Sequence, residues 1–186
     1  MANFDFEALP LSGVVLIRSR KFDDERGFFM ETYREQAFLD GGIDAVFVQD
    51  NHSMSTARGT LRGLHFQTPP YAQAKLVRVV RGAIFDVAVD LRRQSETYGK
   101  WCGAKLTARG GEQLFVPRGF AHGFCTLEDD TEVLYKVDEV YAPSHDTGIT
   151  WNDPALNIDW PLAAAEIFTS QKDARLPPFS AFSSPF

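Results

Sequence analysis

Apolar residues come in short, strand-length bursts along most of the chain, each closed by Gly, Pro, Asp or Asn. Bursts of this kind, without a helical repeat, read as β-strands separated by turns. The pattern predicts strands over 14–17, 28–33, 45–48, 76–80, 83–91, 98–106, 112–116, 120–127 and 132–140, with a further one starting at Leu61. Residues 22–27 form a polar turn, Gln49, Asp50, Asn51 and His52 read as a loop or strand edge, and Arg81 and Gly82 read as a hairpin turn. Residues 1–10 hold Phe4, Phe6 and Leu9 without helical spacing. Helix is limited to a turn or two over 34–40, stopped by Gly41 and Gly42, a short stretch over 162–167, and a turn capped within 170–173. After Pro143 the pattern breaks into loops around Trp151 and Trp160 and an extended tail over 176–186. Many short strands with little helix predict an all-β jelly roll, and no repeat or linker divides residues 1–186, so one domain is expected.

Length and charge narrow the function. A chain of 186 residues is long enough to bury a sizeable core, and a net charge of −6 with no Lys/Arg block argues against nucleic-acid binding. No stretch reaches membrane-spanning length and no secretory leader pattern is present, so a cytoplasmic protein is expected. Cys102 and Cys125 lack metal or redox spacing and read as small apolar groups in a reduced protein. The 16 phenylalanines point to core and subunit interface before nucleobase stacking.

Strand parity then sorts the candidate chemistry. His65 shares a face with Gln67, His122 lies with Phe120 and Phe124, and Tyr135 lies between Val133 and Val137. If these faces point inward, two histidines, Tyr135 and Lys75 converge in an apolar interior. Arg62 has the opposite parity from His65, so only a kink at Gly63 or a site near the mouth brings it in. Along 83–91, Phe85, Val87, Val89 and Leu91 share one face, while Asp86 and Asp90 share the other with Ile84 and Ala88. Asp86 reads as support for a site residue and Asp90 as structural. Taken singly, a strand histidine is more often structural than chemical, Lys75 a solvated edge lysine, and Arg26 and Arg62 surface ion-pair formers. The constellation carries the argument.

Gly111, Pro117, Gly119 and His122 have the spacing G-x5-P-x-G-x2-H, which resembles the second signature motif of the cupin jelly-roll β-barrels. The first cupin motif lies over Gly59, His65, Gln67, Lys75 and Gly82, with a longer gap before Lys75. Gln67 then stands where a metal-binding histidine is expected, and Lys75 where the carboxylate ligand is expected. An ammonium repels a dication and supplies positive charge itself, so the site reads as metal-free acid–base chemistry on a substrate that becomes anionic.

The sequence also resembles the dTDP-4-dehydrorhamnose 3,5-epimerases. The resemblance rests on residues 24–29, 49–53, 61–67, 74–75, 82–87, 116–124, 134–136, 151–154 and 170–173, in the family's order and over most of the chain. It implies a cupin-type jelly-roll fold and epimerisation at C3 and C5 of a dTDP-4-keto-6-deoxy sugar, without cofactor or metal, in a homodimer. It implies His65 as the base paired with Asp173, Lys75 beside the reacting ketone, and Tyr135 as the acid. Nucleotide contacts are implied for Arg26, Glu31, Gln49, Asp50, Asn51, Arg62, His122 and Lys172, with thymine stacked on Tyr141. Asp146 falls where the family often has glutamate, Met54 where a basic residue is expected, and the tail after Asp173 has no family pattern. A metal-dependent cupin, a nucleotide-sugar binding module, and a mono-epimerase or ketoisomerase on a related sugar stay as alternatives. The carbons at which the product changes separate the last of these.

Overall fold

The computed structural model describes residues 3–186. The first half of the chain forms β1 (Phe4–Ala8), β2 (Val15–Ser19), β3 (Lys21–Asp24), β4 (Gly27–Met30), the helix α1 (Glu35–Asp40), β5 (Gln49–Ser55), β6 (Leu61–Gln67) and β7 (Lys75–Arg81). The second half forms β8 (Ala83–Asp90), β9 (Trp101–Thr107), β10 (Glu112–Val116), β11 (Phe120–Thr126), β12 (Thr131–Val137) and β13 (Asp146–Gly148), followed by single-turn 3-10 segments. Two antiparallel sheets stack face to face, one in the order β1-β2-β10-β7-β12-β5, the other β13-β6-β11-β8-β9. Among the described residues their ladders do not join, so this cupin-type jelly roll is a pair of sheets and not the closed barrel expected. The hairpin β3–β4 stands as its own two-stranded sheet.

Three apolar layers follow from strand alternation. The layer between the sheets holds Val77, Val79, Leu114 and Val133 from one and Ile84, Ala88, Leu106 and Phe124 from the other. Outside the five-stranded sheet, Leu64, Phe66, Val87 and Val89 are covered by Trp160 and by Phe179, Phe182 and Phe186 of the tail. The tail predicted as merely extended is therefore a packed cover, with Phe182 edge-on to Phe66 at 5.2 Å. Outside the six-stranded sheet, Phe38 of α1 and Ile43 cover Phe4, Ile17, Leu76 and Phe115. Of the 1–10 stretch, residues 1 and 2 lie outside the described residues.

Several predicted elements are corrected. Arg81 and Gly82 do not close a hairpin: β7 pairs with β10 and β12 while β8 pairs with β11 and β9, so this turn carries the chain from one sheet to the other. Gly82 has φ +77° and a Cβ there would meet Thr131 Oγ1 at 2.3 Å, which is why glycine occupies the crossing. Residues 45–48 join no ladder; Ala45 and Phe47 pack against the outer apolar layer instead. The strand lies one step later, where polar Gln49–Ser55 pairs with β12 along its whole length. The turn before β9 is longer than predicted, because buried Asp90 gathers Arg92 Nη2, Ser95 Oγ and Thr97 Oγ1 at 2.8, 2.6 and 2.7 Å. The pattern break after Pro143 hides a short edge strand, β13, along β6. Ser170 does cap a turn: its Oγ accepts from the Asp173 N–H at 3.0 Å.

Candidate active site

A cavity of about 490 Å³ opens between the sheets, where β5, β6, β7, β11 and β12 meet the 168–173 segment. Its walls include His65, Lys75, His122 and Tyr135, each on the inward face of its strand, and Asp173 from the 3-10 turn at the end of the 168–173 segment. Arg62 joins them through a defect in the ladder. Opposite β11, His65 faces His122 but Arg62 faces Phe124, so three steps on β6 span two on β11. The extra residue reverses the alternation and turns Arg62 to the same side as Phe124. Gly63 sits at this bulge with φ +140°, and a Cβ on it would stand 2.6 Å from Gly123 Cα. Only glycine lets the two strands touch there.

Each histidine has its own carboxylate. Nε2 of His65 lies 2.7 Å from Asp173 Oδ1, and Nε2 of His122 lies 2.7 Å from Asp86 Oδ1. Since a carboxylate only accepts, both Nε2 atoms carry the proton. Nδ1 of His65, which has no partner among the described residues, is then the basic nitrogen. Burial alone would raise the Asp173 carboxyl, but its bond to His65, the charge of that ring and the Gly63 N–H together hold it below the usual carboxylate range. Asp173 is thus a fixed anion behind His65.

Burial pushes the Lys75 ammonium down to about 8, against the pull of Asp146 and Asp86, which favour its charge. It is a cation at neutral pH that needs little to lose its proton. Burial pushes the Tyr135 phenol up, with the Arg62 charge opposing and Asp146 and Tyr141 adding to the rise. Tyr135 therefore keeps its proton and can give it to something more basic. Among the described residues no group of three His, Cys, Asp or Glu side chains could hold a metal ion. Gln67, at the metal-ligand position of the cupin motif, is occupied elsewhere: it donates to the carbonyls of Tyr71 and Val140 and accepts from the Ala142 N–H.

The remaining expected contacts divide into three groups. Lys172 lines the cavity and bonds Asp146 Oδ2 at 2.5 Å, and Tyr141 O–H reaches the same oxygen at 3.1 Å. Gln49 accepts from the Tyr141 N–H and donates to Asn51, which faces Tyr135 across the ladder. These residues form a polar chain beside the cavity. Asp50 does not join it: strand alternation turns it to the outer face, where it pairs with Lys136 at 2.9 Å. Arg26 and Glu31 are also not brought to the cavity. Arg26 is 84% exposed and pairs with Asp24, and Glu31 holds Asn3 and Arg34. Ser53, Phe168, Thr169 and Ser170 line the cavity without having been singled out. Ser53 could have been found from its parity with Asn51, the others from their adjacency to Lys172 and Asp173.

A cupin-type jelly roll with a carboxylate-backed histidine, an ammonium and a protonated phenol around one cavity defines an enzyme of acid–base type. Comparison with known proteins makes that class particular. The family model described as dTDP-4-dehydrorhamnose 3,5-epimerase matches residues 8–181. A protein of that description from Methanothermobacter thermautotrophicus is 50% identical over 179 residues, covering 96% of each chain. The crystal structure of a dTDP-4-dehydrorhamnose 3,5-epimerase from Bacillus anthracis, with TDP and PPi bound, superposes with a TM-score of 0.91 at 47% identity, over 94% of this chain and 99% of that one. An epimerase structure from Legionella pneumophila in complex with dTDP-4-keto-L-rhamnose gives 0.92 at 38% identity, over 97% and 95%. The chain belongs to the dTDP-4-dehydrorhamnose 3,5-epimerase family.

Proposed function

We propose that this protein converts dTDP-4-dehydro-6-deoxy-D-glucose into dTDP-4-dehydro-L-rhamnose by inverting C3 and C5, a step toward dTDP-L-rhamnose. The observation that carries the reading is the opposition, within one cavity, of the Asp173-backed His65, Lys75 and Tyr135. The C4 ketone acidifies the C–H bonds on either side. Nδ1 of His65 takes the proton from one of these carbons, and the C–H electron pair moves to the C4 oxygen. Asp173 stabilises the imidazolium formed, and Lys75 stabilises the enolate oxygen. Tyr135 returns a proton to the opposite face, and solvent restores both groups. One C–H bond breaks and one forms at each carbon, so no oxidant or nicotinamide is consumed. Arg62 and Lys172 are assigned to the diphosphate and Tyr141 to the thymine.

The test is turnover of dTDP-4-dehydro-6-deoxyglucose in D₂O, with deuterium expected at both C3 and C5 and both centres inverted. Deuterium at one carbon makes the protein a mono-epimerase, and a ketone moved to C3 makes it a ketoisomerase. Retained dTDP binding with no exchange leaves a binding module.

The full chain is proposed to act as one catalytic unit, as a homodimer in the cytoplasm. Phe28 and Phe29 on the β3–β4 hairpin are 57% and 71% exposed, an apolar surface suited to a second copy. A hairpin reaching across to that copy would bring Arg26 and Glu31 to the nucleotide. Both cysteines are buried and unbonded, in keeping with a reducing compartment. Light scattering at micromolar concentration that returned a monomer would remove the dimer.

A further inference from the structure

Asp86 is fully buried on β8, yet only half of its carboxyl group is used. Oδ1 holds His122 at 2.7 Å, while Oδ2 is a buried oxygen with no hydrogen-bond partner among the described residues. A charged group in such a place is costly unless something depends on it. Its neighbours show what depends on it. His122 lines the cavity, directly across the ladder from His65, and the Nδ1 of its ring has no partner among the described residues. Asp86 shares its inward face with Phe124, so its charge is also directed into the space between the sheets. Lys75 is within electrostatic reach there.

We infer that Asp86 is a positioning residue for the reaction, clamping the Nε2–H of His122 so that Nδ1 is presented to the bound sugar as an acceptor. This rests on the epimerase reading and extends it. The site then holds two His–Asp pairs side by side, with different tasks: the pair at His65 moves a proton, and the pair at His122 fixes the ring against which the sugar is held. Without the clamp, His122 can exchange the roles of its nitrogens and turn its donor toward the sugar. Asp86 has a second effect through space. The groups around the Lys75 ammonium are Asp86 from β8, Asp146 from β13, His65 from β6, His122 from β11 and Tyr135 from β12. Burial opposes its charge, and among the described residues Asp146 and Asp86 favour it. Removing Asp86 therefore lets Lys75 lose its proton at lower pH.

The experiment has two arms. In the wild-type protein labelled with [¹⁵N]histidine, at pH 8 and without substrate, the His122 signal, assigned by its loss in His122→Asn, is expected to report a proton on Nε2 and none on Nδ1. A proton on Nδ1 overturns the clamp, and this arm needs no variant of Asp86 to fold. In the second arm, Asp86→Asn is expected to lower kcat by at least about a hundredfold while dTDP affinity stays within about twofold. The alkaline limb of its kcat/KM profile moves to lower pH, and the Nε2 proton of His122 is lost. Unchanged kcat and an unmoved alkaline limb overturn the inference even if stability falls. A wild-type protein that fails to epimerise removes the functional reading instead, and the tautomer of His122 still decides the clamp.

Discussion

Asp173→Asn isolates the partnership on which the proposed proton abstraction rests. The amide has the shape of the carboxyl group, so the bond from the Gly63 N–H and the turn at Ser170 can persist, but the negative charge is lost. In the wild type the charge lies 2.7 Å from Nε2 of His65. For unit charges at that separation and an effective dielectric of 20, Coulomb attraction is about 6 kcal/mol. The His65 side chain is 28% exposed, and Asp173 only 5%, so water reaches one partner of the pair. Taking about half of the attraction as surviving that screening leaves roughly 3 kcal/mol of imidazolium stabilisation, on the order of a hundredfold in rate. The amide can also donate to the ring and invert its tautomer, which adds to the loss. The assay is single-turnover wash-in of deuterium at C3 and C5 followed by NMR, with calorimetric dTDP binding as the control for folding. Wash-in within threefold of wild type, with dTDP affinity intact, would refute the role given to Asp173.

Three further outcomes are expected. Lys75, with its pKa at about 8, is charged below that pH and neutral above it, so kcat/KM should fall as pH rises through about 8. In Lys75→Met that limb should vanish, with a loss on the order of a thousandfold from removing about 4 kcal/mol of enolate stabilisation at about 4 Å; a pH profile unchanged in shape would count against it. Arg62→Ala should weaken dTDP itself by about tenfold or more, since a guanidinium lost from a diphosphate site costs at least one charge-assisted bond, and unchanged calorimetric affinity would assign Arg62 elsewhere. For Asp90, bonds from Arg92, Ser95 and Thr97 outweigh burial and hold the carboxyl at about 2. Asp90→Asn should then cost roughly 2 kcal/mol at neutral pH. Its folded pKa being depressed, that stability is present above the unfolded value of about 3.8 and is lost as pH falls toward about 2. Urea melts at pH 7 and pH 2 that differ equally between the two proteins would refute this.

The parts of this site that were legible in advance obey strand alternation. His122 and Tyr135 each sit between apolar neighbours whose burial demands an inward face, so parity alone points them inward. The polar strand Gln49–Ser55 was obscured for the opposite reason: its inward residues Gln49, Asn51 and Ser53 serve the cavity region and not an apolar layer, so no hydrophobic period marks it. Arg81 and Gly82 have the composition of a tight hairpin, and nothing local distinguishes that from a crossing between sheets. The partnership of Asp173 with His65 joins residues 108 apart along the chain, beyond any periodic signal. Asp50, which the resemblance groups with Gln49 and Asn51, lies on the opposite strand face from them and meets Lys136, because next-door residues on a strand face opposite ways.

On the proposed function, the bulge at Gly63 also sets how the enzyme uses its nucleotide. Arg62, on one side of it, is the residue proposed to hold the diphosphate; His65, two residues beyond, is the proposed base; and the Gly63 N–H itself reaches the carboxylate of Asp173 at 3.3 Å. Handle and blade are thus forged in a single piece of backbone, held where β6 touches Gly123. Attraction spent on phosphates far from the ketone is delivered as alignment of imidazole against C–H, not merely as retention of the ligand. A sugar stripped of its nucleotide is then expected to lose that leverage along with its anchor, and to be turned over slowly even when it saturates the cavity.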